Sequence, residues 1–194
     1  MDIIKNHIFT DFFEKNTEKY RKIDFLVFHH IEAVSVGKAL DLLKKHEVSS
    51  HYLIDDEGEV FLLVDENDVA YHAGVSYFAG YEGLNKNSIG IELLNKDVNH
   101  SKFTEKQLNS LIELSKDLIE KYQIKQRNIV GHSDIAYFGV DCGEDFAGQR
   151  GFLDRKDDPS HMFDWKYMAE NGISKVNFGT PGNPKGTTNR HFER

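Results

Sequence analysis

Three side chains that lie far apart in the chain have the types expected of a catalytic metal site. His29 closes the apolar run Phe25–Phe28, and His132 follows a second short apolar run, Ile129–Gly131. Asp158 comes much later in the chain. Two imidazoles and one carboxylate can hold a zinc ion and leave its fourth position to water. Because zinc lowers the pKa of that water and polarises a carbonyl group, the set predicts a metallohydrolase.

Two further charged residues could complete such chemistry. Glu92 lies in the apolar stretch 88–94, where a carboxylate without a partner would cost desolvation energy. It is suited to accept a proton from water at the predicted metal site. Lys156 precedes Asp158 by two residues, so in an extended segment both side chains point the same way. Its ammonium group could stabilise the oxyanion formed when an amide or ester is hydrolysed.

Each of these residues also has an ordinary structural interpretation. A histidine at a strand end is more often a hydrogen-bonded structural residue than a ligand. Glu92 could be paired with a buried lysine, and residues 156–158 could form a solvated charge cluster. The combination, rather than any one residue, favours a catalytic site.

The elements that must position these residues alternate between strands and helices. Dense apolar runs predict strands over 23–29, 88–94 and 128–132, and residues 51–54 and 60–64 flank an acidic turn typical of a β-hairpin. Ser35 can cap a helix that runs to about His46. Thr104 and Gln107 form a capping-box pattern before the most regular helix. This order predicts an α/β fold with a single central sheet.

Composition limits the partners of the chain. The 194 residues suit one domain, and their net charge of −8 argues against nucleic acid and against anionic lipid surfaces. No apolar run approaches the length of about 18 residues that a membrane span needs. The single cysteine, Cys142, excludes an intrachain disulfide. The first residues lack the pattern of a secretory signal, so the chain is cytoplasmic by sequence unless a leader has been lost or export follows another route.

Six short motifs, in order, resemble the zinc-dependent N-acetylmuramoyl-L-alanine amidases of the AmpD- and AmiD-like kind. That family shares its fold with phage amidase lysozymes and animal peptidoglycan recognition proteins. The matching segments cover the chain from about residue 23 to residue 165: Val27-Phe28-His29-His30, Val48-Ser49-Ser50-His51-Tyr52-Leu53-Ile54, Tyr71-His72-Ala73-Gly74, Ser88-Ile89-Gly90-Ile91-Glu92-Leu93, Gly131-His132-Ser133-Asp134 and Arg155-Lys156-Asp157-Asp158-Pro159.

The resemblance implies a role for each candidate. His29, His132 and Asp158 would bind zinc, Glu92 would be the catalytic acid and base, and Lys156 would stabilise the transition state. A contact between His72 and the substrate is also expected, because its segment borders the substrate groove in the family. The implied fold is a mixed, largely parallel sheet flanked by helices, with the zinc in a groove at one sheet end. The substrate would be peptidoglycan or a muropeptide, cut between the lactyl group of N-acetylmuramic acid and L-alanine.

Two of the predicted zinc ligands, His29 and Asp158, have alternatives in the sequence. His30 neighbours His29, but side chains alternate along a strand, so His30 should face the other way. Some members of the wider fold use a cysteine as third ligand, which makes Cys142 an alternative to Asp158. We favour Asp158 because it comes with Lys156 and Pro159 in the family's arrangement.

The expected organisation is a catalytic domain over 23–170 with an N-terminal extension and a tail. Residues 1–22 are predicted to be helical and packed on the domain, and residues 171–194 are predicted to be flexible. Residues 137–154 are predicted to be a loop insertion, which is either a lid over the groove or a tolerated surface loop.

The segment 75–87 resembles the AmiD-like branch and favours a cell-envelope location instead of the cytoplasm. A module that binds peptidoglycan without cutting it is the alternative function.

Overall fold

A six-stranded mixed sheet forms the centre of this computed structural model, which describes residues 3–4, 12–17, 21–136 and 157–173. The described strands are β1 Ile3–Ile4, β2 Phe13–Glu14, β3 Phe25–Glu32, β4 Tyr52–Ile54, β5 Val60–Leu62, β6 Val69–Ala70, β7 Tyr77–Phe78, β8 Tyr81–Glu82, β9 Ser88–Asn95 and β10 Ile129–Gly131. The order across the six-stranded sheet is β1-β5-β4-β9-β3-β10. Within this sheet the β4, β9, β3 and β10 strands run parallel, and of its described pairs only β4–β5 is antiparallel. The predicted mixed, largely parallel sheet is confirmed.

Helices cover both faces of the sheet, as predicted. The described α-helices are α1 Val36–Lys45, α2 Glu105–Tyr122, α3 His132–Ile135 and α4 Trp165–Glu170. Leu111 and Leu118 of α2 pack in one apolar cluster with Phe28 of β3. On the opposite face, Ala39 and Leu43 of α1 pack against the sheet. Burying each leucine or phenylalanine side chain contributes about 1.5–3 kcal/mol, so these two layers fix the sheet between them.

Side-chain alternation along β3 separates the core from the site. Phe28 faces the α2 cluster, whereas Phe25 and Val27 belong to a second cluster with Leu84 and Ile135 on the other face. His29 follows Val27 by two residues and therefore projects from that second face. The site accordingly lies opposite α2, beside the loop that carries Leu84.

The two predicted helix starts are present, with one difference. Ser35 and Thr104 accept hydrogen bonds from the backbone N–H groups of Lys38 and Gln107. The Gln107 side chain does not complete the capping box, because its amide donates to the carbonyl oxygens of Ile54 and Leu94. It joins α2 to two neighbouring strands instead.

Glu66 is a second connection between α2 and the sheet. Its carboxylate accepts hydrogen bonds from the hydroxyls of Tyr52 and Tyr122 and from Lys121 Nζ at 2.7 Å. Burial alone would raise the pKa of Glu66, but these donors hold its pKa below the ordinary carboxyl value. The carboxylate form of Glu66 therefore stabilises the fold.

The N-terminal segment differs from the predicted helix. Ile3–Ile4 pairs with β5 in the parallel sense, and Phe13–Glu14 pairs antiparallel with β6. The β5 and β6 strands offer unpaired backbone groups, and pairing with them outweighs the loose helical spacing of the aromatic residues. The helix prediction is therefore wrong for these four residues.

Residues 71–87, which precede β9, form an ordered segment. It contains the short β7–β8 hairpin and a 3₁₀-helix, Leu84–Asn87. His72, Ala73 and Leu84 in it are buried. Among the described helices, none is long and apolar enough to cross a membrane. The predicted insertion 137–154 and residues 174–194 of the predicted tail lie outside the described residues.

Candidate metal centre

Parallel strands bring His29, Glu92 and His132 to one place. In the β3–β9 pairing, His29 lies opposite Glu92. In the β10–β3 pairing, Gly131 lies opposite Phe28, so His132 comes level with His29 at the next position. All three side chains are buried, with 2%, 7% and 5% of their surfaces exposed. Residues distant in sequence thus meet because the strands run in the same direction.

Asp158 reaches the two histidines from the segment before α4. Its Oδ2 atom lies 2.9 Å from His132 Nδ1 and 3.4 Å from His29 Nδ1. Its other oxygen, Oδ1, accepts a hydrogen bond of 2.7 Å from the backbone N–H of His30. The Asp158 carbonyl accepts from the Ser133 N–H at 2.7 Å. Oδ1 and the backbone therefore hold the residue in place and direct Oδ2 towards the imidazoles.

His30 supports this segment from the other side of the strand. The His30 Nδ1 atom accepts a hydrogen bond of 2.9 Å from the Ser160 N–H. Among the described residues, one group of potential metal ligands consists of His29, His132 and Asp158, without His30. The structure thus brings together the three ligands predicted from the sequence.

The donor set fits a zinc ion. One ligand atom from each of the three residues lies within 4.8 Å of the others, as two imidazole nitrogens and one carboxylate oxygen. Burial opposes ionisation of Asp158, but its hydrogen bonds with His132 and His29 hold its pKa well below the usual range. A ligating carboxylate must be ionised, so this environment suits metal binding. Three protein ligands leave room for a fourth, from water or substrate.

His72 lies behind His29 rather than in an open groove. Its Nδ1 atom is 3.0 Å from His29 Nε2, and its Nε2 atom is 3.1 Å from the Ser88 hydroxyl. The side chain is buried, and this burial keeps the pKa of His72 well below the ordinary histidine value. Because both ring nitrogens are occupied within the protein, the expected direct contact between His72 and the substrate does not fit this geometry.

A signal for this arrangement exists in the sequence of β9. Ser88, Gly90 and Glu92 alternate along the strand and so share one face. A Cβ atom at Gly90 would lie 2.5 Å from His72 Cγ. A glycine inside a buried strand marks the close approach of another group, which here is the His72 ring.

Two predicted residues lie outside the described part of the chain. These are Lys156, the expected transition-state stabiliser, and Cys142, the alternative ligand. Glu92 is described, and its position opposite His29 puts its side chain on the same face of the sheet as the three potential ligands.

The loop that precedes β9 supplies an exposed apolar surface near this centre. Val75 and Tyr77 are 78% and 48% exposed. Between them, Ser76 forms an antiparallel bridge with Ala136, which follows the short helix that begins at His132. The bridge therefore links this loop to the segment that carries His132.

Comparison with known proteins relates the chain to one family of amidases. Residues 19–161 match the family described as N-acetylmuramoyl-L-alanine amidase. The chain is 35% identical over 183 residues to the N-acetylmuramoyl-L-alanine amidase AmiD of Escherichia coli, covering 84% of this chain and 60% of that protein. It is 39% identical over 124 residues to the 1,6-anhydro-N-acetylmuramyl-L-alanine amidase AmpD of Haemophilus influenzae, covering 63% of this chain and 58% of that protein. The chain thus spans about 60% of the length of these relatives.

Solved structures agree with the sequence relatives. AmiD from Escherichia coli, in complex with the substrate anhydro-N-acetylmuramic acid-L-Ala-D-γ-Glu-L-Lys, matches with a TM-score of 0.64 and 34% identity. That match covers 84% of this chain and 62% of the AmiD chain. AmpDh3 from Pseudomonas aeruginosa, in complex with an anhydromuramic pentapeptide, matches with a TM-score of 0.64 and 30% identity over 87% of this chain and 67% of that one.

Proposed function

Because this chain belongs to the N-acetylmuramoyl-L-alanine amidase family, we propose that it hydrolyses the amide bond between the lactyl group of N-acetylmuramic acid and L-alanine. The observation that carries the proposal is the buried group of His29, His132 and Asp158, whose ligand atoms converge at one point. We assign these three residues to a zinc ion. The ion, when bound, would polarise the scissile carbonyl and lower the pKa of a water molecule to about 7.

Glu92 would transfer the proton in this reaction. Its carboxylate takes a proton from the attacking water and returns a proton to the alanine nitrogen as the C–N bond breaks. One water molecule is consumed, and the products are a lactyl carboxylate and a free amino group. The position of Glu92 opposite His29, on the site face of β9, supports this role. Lys156 remains the proposed stabiliser of the oxyanion, on the basis of its spacing from Asp158.

The substrate class follows from the relatives. AmiD and AmpDh3 bind anhydromuramyl peptides in their complexes. We extend this chemistry to the present chain and propose that it acts on muropeptides, with the 1,6-anhydro form among its substrates. Val75 and Tyr77 would form an apolar wall for the sugar or peptide.

The test is mass spectrometry of a purified anhydromuramyl tripeptide after incubation with the zinc-loaded chain. A parallel sample contains a zinc chelator, and a third has zinc restored. We expect free sugar and intact peptide, whose summed mass exceeds the substrate by one water, with no cleavage in the chelator sample and recovery after zinc is added. An intact substrate that nevertheless binds to the zinc-loaded protein would reject hydrolysis and favour the binding module.

A further inference from the structure

The hydrogen bonds behind His29 form a chain in which the position of each proton can be worked out. The chain starts at the Ser88 hydroxyl, 2.5 Å from the Leu84 carbonyl oxygen. A carbonyl has no proton to give, so Ser88 donates its only proton there. Towards His72, the Ser88 oxygen can therefore act only as an acceptor.

The next two links follow from the first. Because Ser88 accepts, the Nε2 atom of His72, 3.1 Å away, must carry a proton. Burial favours the neutral ring, which has one N–H group, so His72 Nδ1 is an acceptor without a proton. That atom lies 3.0 Å from His29 Nε2, and the proton between them must belong to His29.

The role of the other His29 nitrogen, Nδ1, follows from the proton on Nε2. Because Nε2 is committed as the donor to His72, Nδ1 is the His29 nitrogen that gives up its proton when a metal binds. The Nδ1 atom faces Asp158 Oδ2 at 3.4 Å, on the side where the three potential ligands meet. We propose that His72 is a positioning residue, which holds His29 in the Nε2–H tautomer so that Nδ1 is the metal-binding nitrogen. This inference rests on the proposed role of His29 as a ligand.

The surroundings of His72 keep its ring in the necessary orientation. The backbone N–H groups of His72 and Ala73 both donate to Asn85 Oδ1, at 3.0 and 2.7 Å. Beneath the ring, Gly90 provides space that no other residue could leave, since a Cβ atom there would lie within 2.7 Å of three ring atoms. Loss of a residue that orients a metal-ligating histidine typically weakens metal binding about 10- to 100-fold.

Tautomer and affinity can both be measured without substrate. In the metal-free chain with ¹⁵N-labelled histidine, two-bond ¹H–¹⁵N correlations distinguish a protonated ring nitrogen from a bare one. We expect His29 to be protonated at Nε2 at neutral pH. A His29 ring protonated at Nδ1 and bare at Nε2 would overturn the proposal, even if the variants below failed to fold.

Substitutions at His72 separate a positioning role from packing alone. Zinc affinity is measured by competition with a chelator in His72→Leu, which fills the space without an acceptor, and in His72→Asn, whose Oδ1 replaces Nδ1 as acceptor. We expect a loss of about 10- to 100-fold in His72→Leu and recovery of most of it in His72→Asn. The exposed His100, which bonds within its own turn, gives the control His100→Ala with unchanged affinity.

Two outcomes would refute the proposal in these variants. Wild-type zinc affinity in His72→Leu would show that no support is needed, and equal losses in His72→Leu and His72→Asn would show that only packing matters. Neither measurement depends on turnover. An inactive protein with the expected tautomer would reject the amidase proposal alone, and an active protein with the other tautomer would reject this inference alone.

Discussion

Replacing Gly90 by alanine should disturb the metal centre without changing any of its ligands. The added Cβ atom would lie 2.5 Å from His72 Cγ and 2.7 Å from His72 Nδ1. Carbon atoms in contact prefer about 3.5–4.0 Å, so the ring must move by roughly 1 Å. Because the strand is fixed by its neighbours on both sides, the ring rather than the backbone should give way.

The size of the effect follows from the contacts that are lost. Overpacking of this kind costs about 1–3 kcal/mol, and each of the two hydrogen bonds of the His72 ring contributes about 1 kcal/mol. We therefore expect Gly90→Ala to lower the free energy of unfolding of the metal-free protein by about 3–5 kcal/mol. Zinc affinity should fall about 10- to 100-fold, because the orientation of His29 is no longer held.

The assay is urea unfolding of the metal-free protein, combined with chelator competition for zinc. Gly37→Ala is the matched control, since a Cβ atom at this exposed position of α1 meets nothing within 4 Å. Alanine favours a helix over glycine by up to about 1 kcal/mol, so this control should be as stable as the wild type or more stable. If Gly90→Ala unfolded with the wild-type free energy and bound zinc with the wild-type affinity, the reasoning about His72 would be refuted.

Four further predictions concern individual side chains. Glu92→Gln should retain zinc and lose turnover by about 10²- to 10⁴-fold in steady-state kinetics, and undiminished turnover would remove Glu92 from the mechanism. Asp158→Asn should lose its zinc on dialysis, as measured by elemental analysis, whereas the partly exposed neighbour Asp157→Asn should keep it. Tyr77→Ala should raise KM by about 3- to 10-fold with little change in kcat, the effect of losing about 1 kcal/mol of apolar contact, and an unaltered KM would reject the apolar wall. Since the pKa of Glu66 is lower in the folded than in the unfolded chain, its contribution to stability is present above about pH 4.5 and decreases below it. Urea unfolding between pH 3 and pH 7 should show a weaker acid dependence in Glu66→Gln, and equal pH dependence in both proteins would contradict this assignment.

The parts of the fold that were predictable are those with strong local patterns. The apolar runs that end in His29 and precede His132 indicated strands, and Ser35 and Thr104 marked helix starts that the structure contains. The position of the two histidines at one sheet end came from the family resemblance, and the structure shows its physical cause, because parallel strands align their carboxyl ends.

The parts that were missed depend on long-range contacts. Nothing near Ile3 or Phe13 shows that these residues pair with the β5 and β6 strands, because a sheet edge is created only by the folded chain. A contact between His72 and the substrate was expected because its segment borders the substrate groove in the family that the chain resembles. Its actual partner, Gly90, is 18 positions away, and only the alternation within β9 could have indicated that a ring packs there.

Zinc titration of the metal-free chain, with simultaneous measurement of muropeptide cleavage, tests the central claim most directly. We predict that the rate of release of L-alanine-terminated peptide rises with added zinc and stops rising at one equivalent per chain, as expected for a single site formed by His29, His132 and Asp158. Cleavage at full rate in the metal-free chain would contradict the claim. So would binding of one zinc equivalent with the amide bond left intact.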